Sequence, residues 1–383
     1  MRERSFAKLQ NNKLSKFRVK KKPDHILSLA VFALAIFGLV MVASSSVIKS
    51  YQATDGASSY YYLTRQLISF GIGVFAWLIF QNIDYHFWKK HYIWIFLITI
   101  VLTLLVFMPK IGIQLGGAHR WMGFGSFLFQ PSELLKLGFI IFLASFYDGF
   151  KDKVKSFSYG FLPFLISVAV IGVILIKQPD MGTAIIFLVI GIGMYLIANA
   201  NLYYLLGSIP IFLIAFWILI KSSAYRMQRF LTFINPNADV LSAGYQINQS
   251  LIAIGSGGFW GRGYGNSLQK YNYLPEPMTD SIFAVIAEEL GFFRSIFVLF
   301  LFFIIGWRGL KIAKNAIDDF GKLLATGITL WFVVQALVNL GAMMGLIPLT
   351  GVPLPFISYG GSSFIVNLAA VGILLNVSKY SQK

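Results

Sequence analysis

The chain has 383 residues, 57% of them hydrophobic and only 12% charged, with a formal net charge of +17. Typical soluble domains carry about twice that share of charge, which argues against a soluble multidomain protein. The excess positive charge comes with no nucleic-acid recognition motif, and the absence of cysteine excludes disulfides and thiolate metal sites.

Nine Lys and Arg precede the first apolar run, in MRERSFAKLQNNKLSKFRVKKKPD. Residues 1–24 therefore read as a basic cytoplasmic tail held against anionic lipid headgroups. Apolar runs follow at about 26–48, 62–82, 92–108, 131–147, 158–176, 181–198, 203–220, 281–308, 321–343 and 361–379. All but the longer 281–308 are close to the roughly 20 residues that cross a bilayer as a helix. In hydrocarbon such runs must satisfy their own backbone hydrogen bonds, and no alternating strands of a barrel are visible. The first run is too long for a signal peptide and no cleavage site follows it, so it reads as a retained anchor. The expectation is an all-α polytopic membrane protein of about ten transmembrane helices, with residues 25–383 as one domain.

Orientation follows from Lys and Arg in the loops. The segments on the N-terminal side of the membrane hold 20, whereas the short loops opposite hold only Lys49, Lys110, Arg120 and Lys177. Both termini are thus expected in the cytoplasm. One long extracytoplasmic loop, about 221–280, joins helices 7 and 8, and its charges count little because long loops translocate regardless.

Ionisable residues inside a bilayer cost a few kcal/mol each and are functional hypotheses by default. Four groups stand out, all on the outer side. In QPSELLK, Glu133 and Lys136 share a helix face and can pair; the alternative is a capped helix start, since Pro131 and an acid both suit a first turn. In KQPDMGTA, Asp180 is a site candidate or simply a helix N-cap. The long loop carries GYQINQSLIAIGSGGFWGRGYGNSLQKYNYLPEPMTD, with Arg226, Arg229, Arg262 and Lys270 in or beside it. Its glycines at 255, 257, 258, 261, 263 and 265 permit close backbone approach to a ligand. Asp280 ends this loop, either as an N-cap or as a working carboxylate, with Glu288 and Glu289 two turns further in. In GLIPLTGVPLPFISYGGSS, three prolines forbid a continuous helix. Ser358 and Tyr359 then belong to irregular backbone lining a cavity. Carboxylates, basic side chains and glycine loops meeting on one side suit an anionic, lipid-linked substrate.

These strings resemble the SEDS family (shape, elongation, division and sporulation). GAHRW, QPSEL, QPDMGTA, IAIGSGG, LPEPMTD and PLPFISYGGSS occur in the family's order over about residues 26–378. The long loop looks more like the division type than the elongation type. The resemblance implies a peptidoglycan glycosyltransferase of the bacterial cytoplasmic membrane that polymerises lipid II. It also implies a class B penicillin-binding protein as partner, beside other divisome or elongasome membrane proteins. By the same resemblance Asp280 is the essential carboxylate, and Glu133 and Lys136 match an important cavity pair. This chain has Met278-Thr279-Asp280-Ser281 where the family usually has His-Thr-Asp-Phe, which puts a proton relay at position 278 in doubt.

The implied reaction needs a general base, assigned to Asp280, and positive charge at a departing diphosphate. Arg120, Arg226, Arg229, Arg262 and Lys270 are candidates, with Lys136 orienting the site. A divalent cation such as Mg or Mn could do the same work, although no dedicated metal motif is present. A transporter of lipid-linked precursors explains the broken segments equally well, but the cytoplasmic loops offer it no vestibule. A recruiting scaffold would leave the outer carboxylates without a task.

Overall fold

The computed structural model describes residues 21–115, 118–124, 127–235 and 243–381. Most of the basic tail and residues 236–242 of the long loop lie outside that description, as does Gly117 of GAHRW.

Helix α1 (His25–Ser45) starts where the Asp24 carboxylate accepts from the Leu27 amide at 2.9 Å, a normal N-cap. A short α2 (Val47–Ala53) leads to α3 (Tyr61–Asn82). Helices α4 (His86–Lys90) and α5 (Tyr92–Leu105) follow. Next come β1 (Gly112–Leu115), β2 (Ala118–Phe124) and β3 (Phe127–Phe129), an antiparallel sheet in that order. The chain is therefore not purely α-helical. This sheet caps one end of the bundle before α6 (Pro131–Gly149).

Helices α7 (Leu162–Lys177), α8 (Met181–Ile197) and α9 (Leu202–Lys221) are strongly apolar. The expected long loop then contains two helices, α10 (Ala224–Ile234) and α11 (Ala243–Ser256). Finally α12 (Ile282–Lys314), α13 (Asp319–Met343) and α14 (Gly361–Lys379) complete the chain. Each of the ten expected spans falls on a helix. Seven are long and apolar enough to cross a membrane, and α5 and α8 are shorter apolar helices. The tenth, α6, carries the paired Glu133 and Lys136.

Large apolar side chains such as Phe75, Trp94, Ile211 and Phe303 are about two-thirds exposed along the bundle's flanks, a surface that requires lipid as solvent. The interior is different: α14 is buried almost all round, and α13 nearly so. The first and last described segments meet at one end of the bundle, where the Lys21 amide donates to Lys379 O at 2.9 Å and Arg308 pairs with Asp24. That agrees with both termini on one side.

Helix α12 is broken at Gly291, whose φ is 76°. The loop after α11 fills the break: amides of Arg262 and Gly263 donate to Glu288 O and Glu289 O at 3.0 and 2.9 Å, and the Phe292 amide donates to Gly258 O at 2.9 Å. A side chain at Gly257 or Gly261 would put its Cβ within 2.3 Å of α12 backbone. Those two glycines thus serve close approach to the protein's own helix rather than to a ligand, contrary to the sequence expectation.

Candidate functional site

Asp280 occupies the turn immediately before α12, at the end of the bundle opposite the termini. Three elements hold it there. From α11, Gln246 Nε2 donates to Asp280 Oδ2 at 3.3 Å and to Ser281 Oγ at 3.0 Å. From α13, Asn339 Nδ2 donates to Asp280 O and Val352 O, both at 2.8 Å. From the proline-rich segment, the Tyr359 amide donates to Met278 O at 2.8 Å, and the Ser358 hydroxyl donates to Thr279 O. The prolines at 348, 353 and 355 keep this segment out of a helix, which frees its polar groups to brace the turn.

The carboxylate itself is weakly held. Among the described residues its side-chain donors are Gln246 and, at 3.2 Å, Thr279 Oγ1. Among the described residues no basic side chain comes within ion-pair distance of it. Burial, and then the negative charge of Glu276, push its pKa up to about 6, against the pull of the Gln246 and Thr279 hydrogen bonds. A carboxylate so placed can take a proton near neutral pH. It is no simple N-cap, since Ser281 holds that position and makes no side-chain cap bond.

Glu133 and Lys136 do form the expected pair, at 2.8 Å and almost fully buried. The Lys136 ammonium also donates to Gln335 Oε1 at 2.7 Å and sits 4.8 Å from the centre of the Trp331 ring. Gln335 Nε2 in turn donates to Pro353 O at 2.9 Å. The pair therefore supports the segment that braces Asp280. Glu133 Oε2 is buried and has no hydrogen-bond partner among the described residues. Asp180 caps α8, its Oδ1 accepting from the Thr183 amide at 3.3 Å.

Next to this lies a cavity of about 260 Å³ with a mostly apolar wall, including Met181, Ile185, Phe216, Ile220, Phe230 and Leu349. Arg226 and Arg229 line it as well. Arg229 donates to Leu349 O and Arg226 to Leu219 O, while Arg120 bonds the carbonyls of Gln178 and Pro179 at its edge. The segment 347–351 runs from this cavity to Asp280: a Cβ on Gly351 would lie 3.9 Å from Asp280 Oδ2.

The remaining candidates form a separate cluster. Lys270 Nζ donates to Ser44 Oγ, Gly265 O and Glu289 Oε1, which uses all three protons. Glu289 also accepts from Ser44, and Glu288 accepts from Ser267 Oγ and the amides of Leu268 and Gln269. Arg262 faces Glu288 at 3.7 Å. Lys270, Glu288 and Glu289 thus clamp the loop onto α12 and α1. Lys270 and Arg262, expected from the sequence to face an anionic ligand, are here paired with the buried carboxylates of Glu289 and Glu288.

Several contributors escaped the sequence reading. Gln246, Gln335 and Asn339 are uncharged amides, which a search for charges inside apolar runs passes by. Among the described residues no three His, Cys, Asp or Glu gather as a metal site. A divalent cation beside Asp280 would have to draw further ligands from phosphate oxygens.

Comparison with known proteins agrees in extent with the sequence resemblance. The profile of the FtsW, RodA and SpoVE family, described as cell cycle protein, matches residues 24–383. The chain is 42% identical to the stage V sporulation protein E of Bacillus subtilis (strain 168), over 95% of this chain and 99% of that one. It is likewise 42% identical to the probable peptidoglycan glycosyltransferase FtsW of Trichlorobacter lovleyi, over 93% of each. A solved chain from a peptidoglycan synthase complex, studied for coordination of polymerization and crosslinking, superposes with a TM-score of 0.76 at 24% identity. That match covers 93% of this chain and 97% of the other.

Proposed function

This chain belongs to the cell cycle protein family of FtsW, RodA and SpoVE, and from that premise we propose that it is a multi-pass peptidoglycan glycosyltransferase that polymerises lipid II. Its working end is the one carrying Asp280, which faces the extracytoplasmic side. The observation that carries this reading is Asp280 itself: a braced carboxylate with no cationic partner among the described residues, its pKa pushed up to about 6, next to an apolar cavity lined by two arginines.

In the proposed reaction the 4-hydroxyl of one lipid-linked sugar attacks the anomeric carbon of another. Asp280 removes the hydroxyl proton as the new C–O bond forms. The bond from the anomeric carbon to the diphosphate breaks, and the diphosphate leaves with the electron pair. Such transfers pass through an oxocarbenium-like state, and a positioned base contributes roughly 10²–10⁴-fold. The apolar cavity suits a polyprenyl chain, with Arg226 and Arg229 placed for its diphosphate; guanidinium groups match phosphate oxygens well. Were a divalent cation bound, Asp280 would be the residue to hold it, and the cation would supply positive charge for the departing diphosphate. The partner is proposed to be a class B penicillin-binding protein, supported by the fold shared with a chain of a peptidoglycan synthase complex.

The test is strand synthesis from purified lipid II by the chain with its penicillin-binding partner, the partner's transpeptidase being blocked. Long glycan strands support the proposal. Their absence, together with lipid II translocation in proteoliposomes, would favour a transporter instead.

A further inference from the structure

A reaction between two lipid-linked sugars brings two diphosphates to one carboxylate. The cavity with Arg226 and Arg229 reaches Asp280 through Gly351 and provides for one of them. Asp280 has a second flank, built from α3 and the proline-rich segment. There Glu276 shares the Thr279 hydroxyl with Asp280, at 2.9 and 3.2 Å, and Glu276 lies within electrostatic range of Tyr62. The Tyr62 ring meets Tyr359 edge-on at 5.1 Å. The Arg65 guanidinium covers the Tyr61 ring at 4.5 Å and lies within electrostatic range of the Tyr359 phenol.

Arg65 is half-buried, five residues into α3. Among the described residues no carboxylate comes within ion-pair distance of it. Cations are disfavoured near a helix N-terminus, where the backbone dipole is positive. Its immediate neighbour is fixed: Gln66 accepts from the Gly360 amide at 3.2 Å and donates to Ser358 O at 3.4 Å. The first turns of α3, and with them Arg65, are thereby tied to the same segment that braces Asp280. Each arginine nominated from the sequence is bound to backbone carbonyls or a carboxylate, whereas among the described residues the Arg65 guanidinium sits against the Tyr61 ring and beside the Tyr359 phenol.

We infer that Arg65, with the Tyr359 hydroxyl, forms a second anion subsite that binds the diphosphate of one of the two lipid-linked substrates. The inference rests on the polymerase reading above and adds the location of the second substrate. Guanidinium and phenol together offer the planar donor set that phosphate oxygens take.

The test is binding of undecaprenyl diphosphate to the full chain in phosphatidylcholine nanodiscs, with undecaprenol as the uncharged control. The wild type is expected to bind two equivalents of diphosphate. Arg65→Gln is expected to weaken one of them about tenfold to a hundredfold, the scale of lost charge-assisted hydrogen bonds. Arg65→Lys should recover part of the loss, and undecaprenol binding should not change. In strand synthesis the same loss should appear in KM more than in kcat. Diphosphate binding by Arg65→Gln equal to wild type would overturn the inference, and so would equal losses for diphosphate and undecaprenol. If only competition by added phosphatidylglycerol changes, Arg65 is a headgroup anchor and the inference also fails. Absence of strands from the wild-type complex would instead defeat the polymerase reading, whatever Arg65 binds.

Discussion

Asp280→Asn is expected to stabilise the protein at neutral pH. The native carboxylate titrates near 6 rather than at 3.8, so folding a charged Asp280 costs free energy. A displacement of about two units corresponds to roughly 3 kcal/mol at most. The sign follows from proton uptake: between pH 3.8 and about 6 the native state binds more protons than the unfolded chain, so this residue makes stability fall as pH rises. Above pH 6 the full cost applies. Asparagine has the same shape, still accepts from Gln246 Nε2, and can donate to the Thr279 hydroxyl. Thermal unfolding in detergent should therefore show the variant melting roughly 3–6 °C higher at pH 7.5, with about half that gain at pH 5. An asparagine variant that melts lower than wild type, by the same margin at both pH values, would refute the reasoning, because the carboxylate would then be stabilising rather than strained.

Glu276→Gln removes the second cause of the raised Asp280 pKa while leaving burial in place. Because exposed Glu276 is screened by water, the acid limb of kcat/KM should move to lower pH by less than about one unit; an upward shift would contradict the assignment. Lys136→Met strands the buried Glu133 charge and should cost about 3–5 kcal/mol, read as a lower melting temperature, whereas an unchanged melting temperature would mean the pair is solvated. Gly291→Ala forces a side chain into a backbone contact of 2.2 Å at φ 76°. It should release the 257–263 loop to protease while sparing α1–α9.

The helices were legible because hydrocarbon permits little else: ten apolar runs of crossing length became ten helices. The β1–β3 sheet was not, since GIQLGGAHRWMGFGSFLF sits between two strong helical signals and its strands are only three to seven residues long. Asp280 and the Glu133–Lys136 pair could be found because charge within an apolar chain is rare. The division into two clusters could not. Lys270 and Glu289 are 19 residues apart, and nothing in their spacing shows that Gly291 breaks α12 and lets the loop close on it. Gln246 and Asn339, which hold Asp280, carry no charge to give them away. Arg65 is a cation inside an apolar run, and loop counting assigns meaning only to charges outside the spans.

The most direct test of the central claim is the rate of lipid II polymerisation by Asp280→Asn beside wild type, each with the same transpeptidase-blocked partner and shown to be folded. Loss of strand synthesis by roughly 10²–10⁴-fold, with lipid II still bound, is the predicted result. Polymerisation at the wild-type rate would show that Asp280 is not the base.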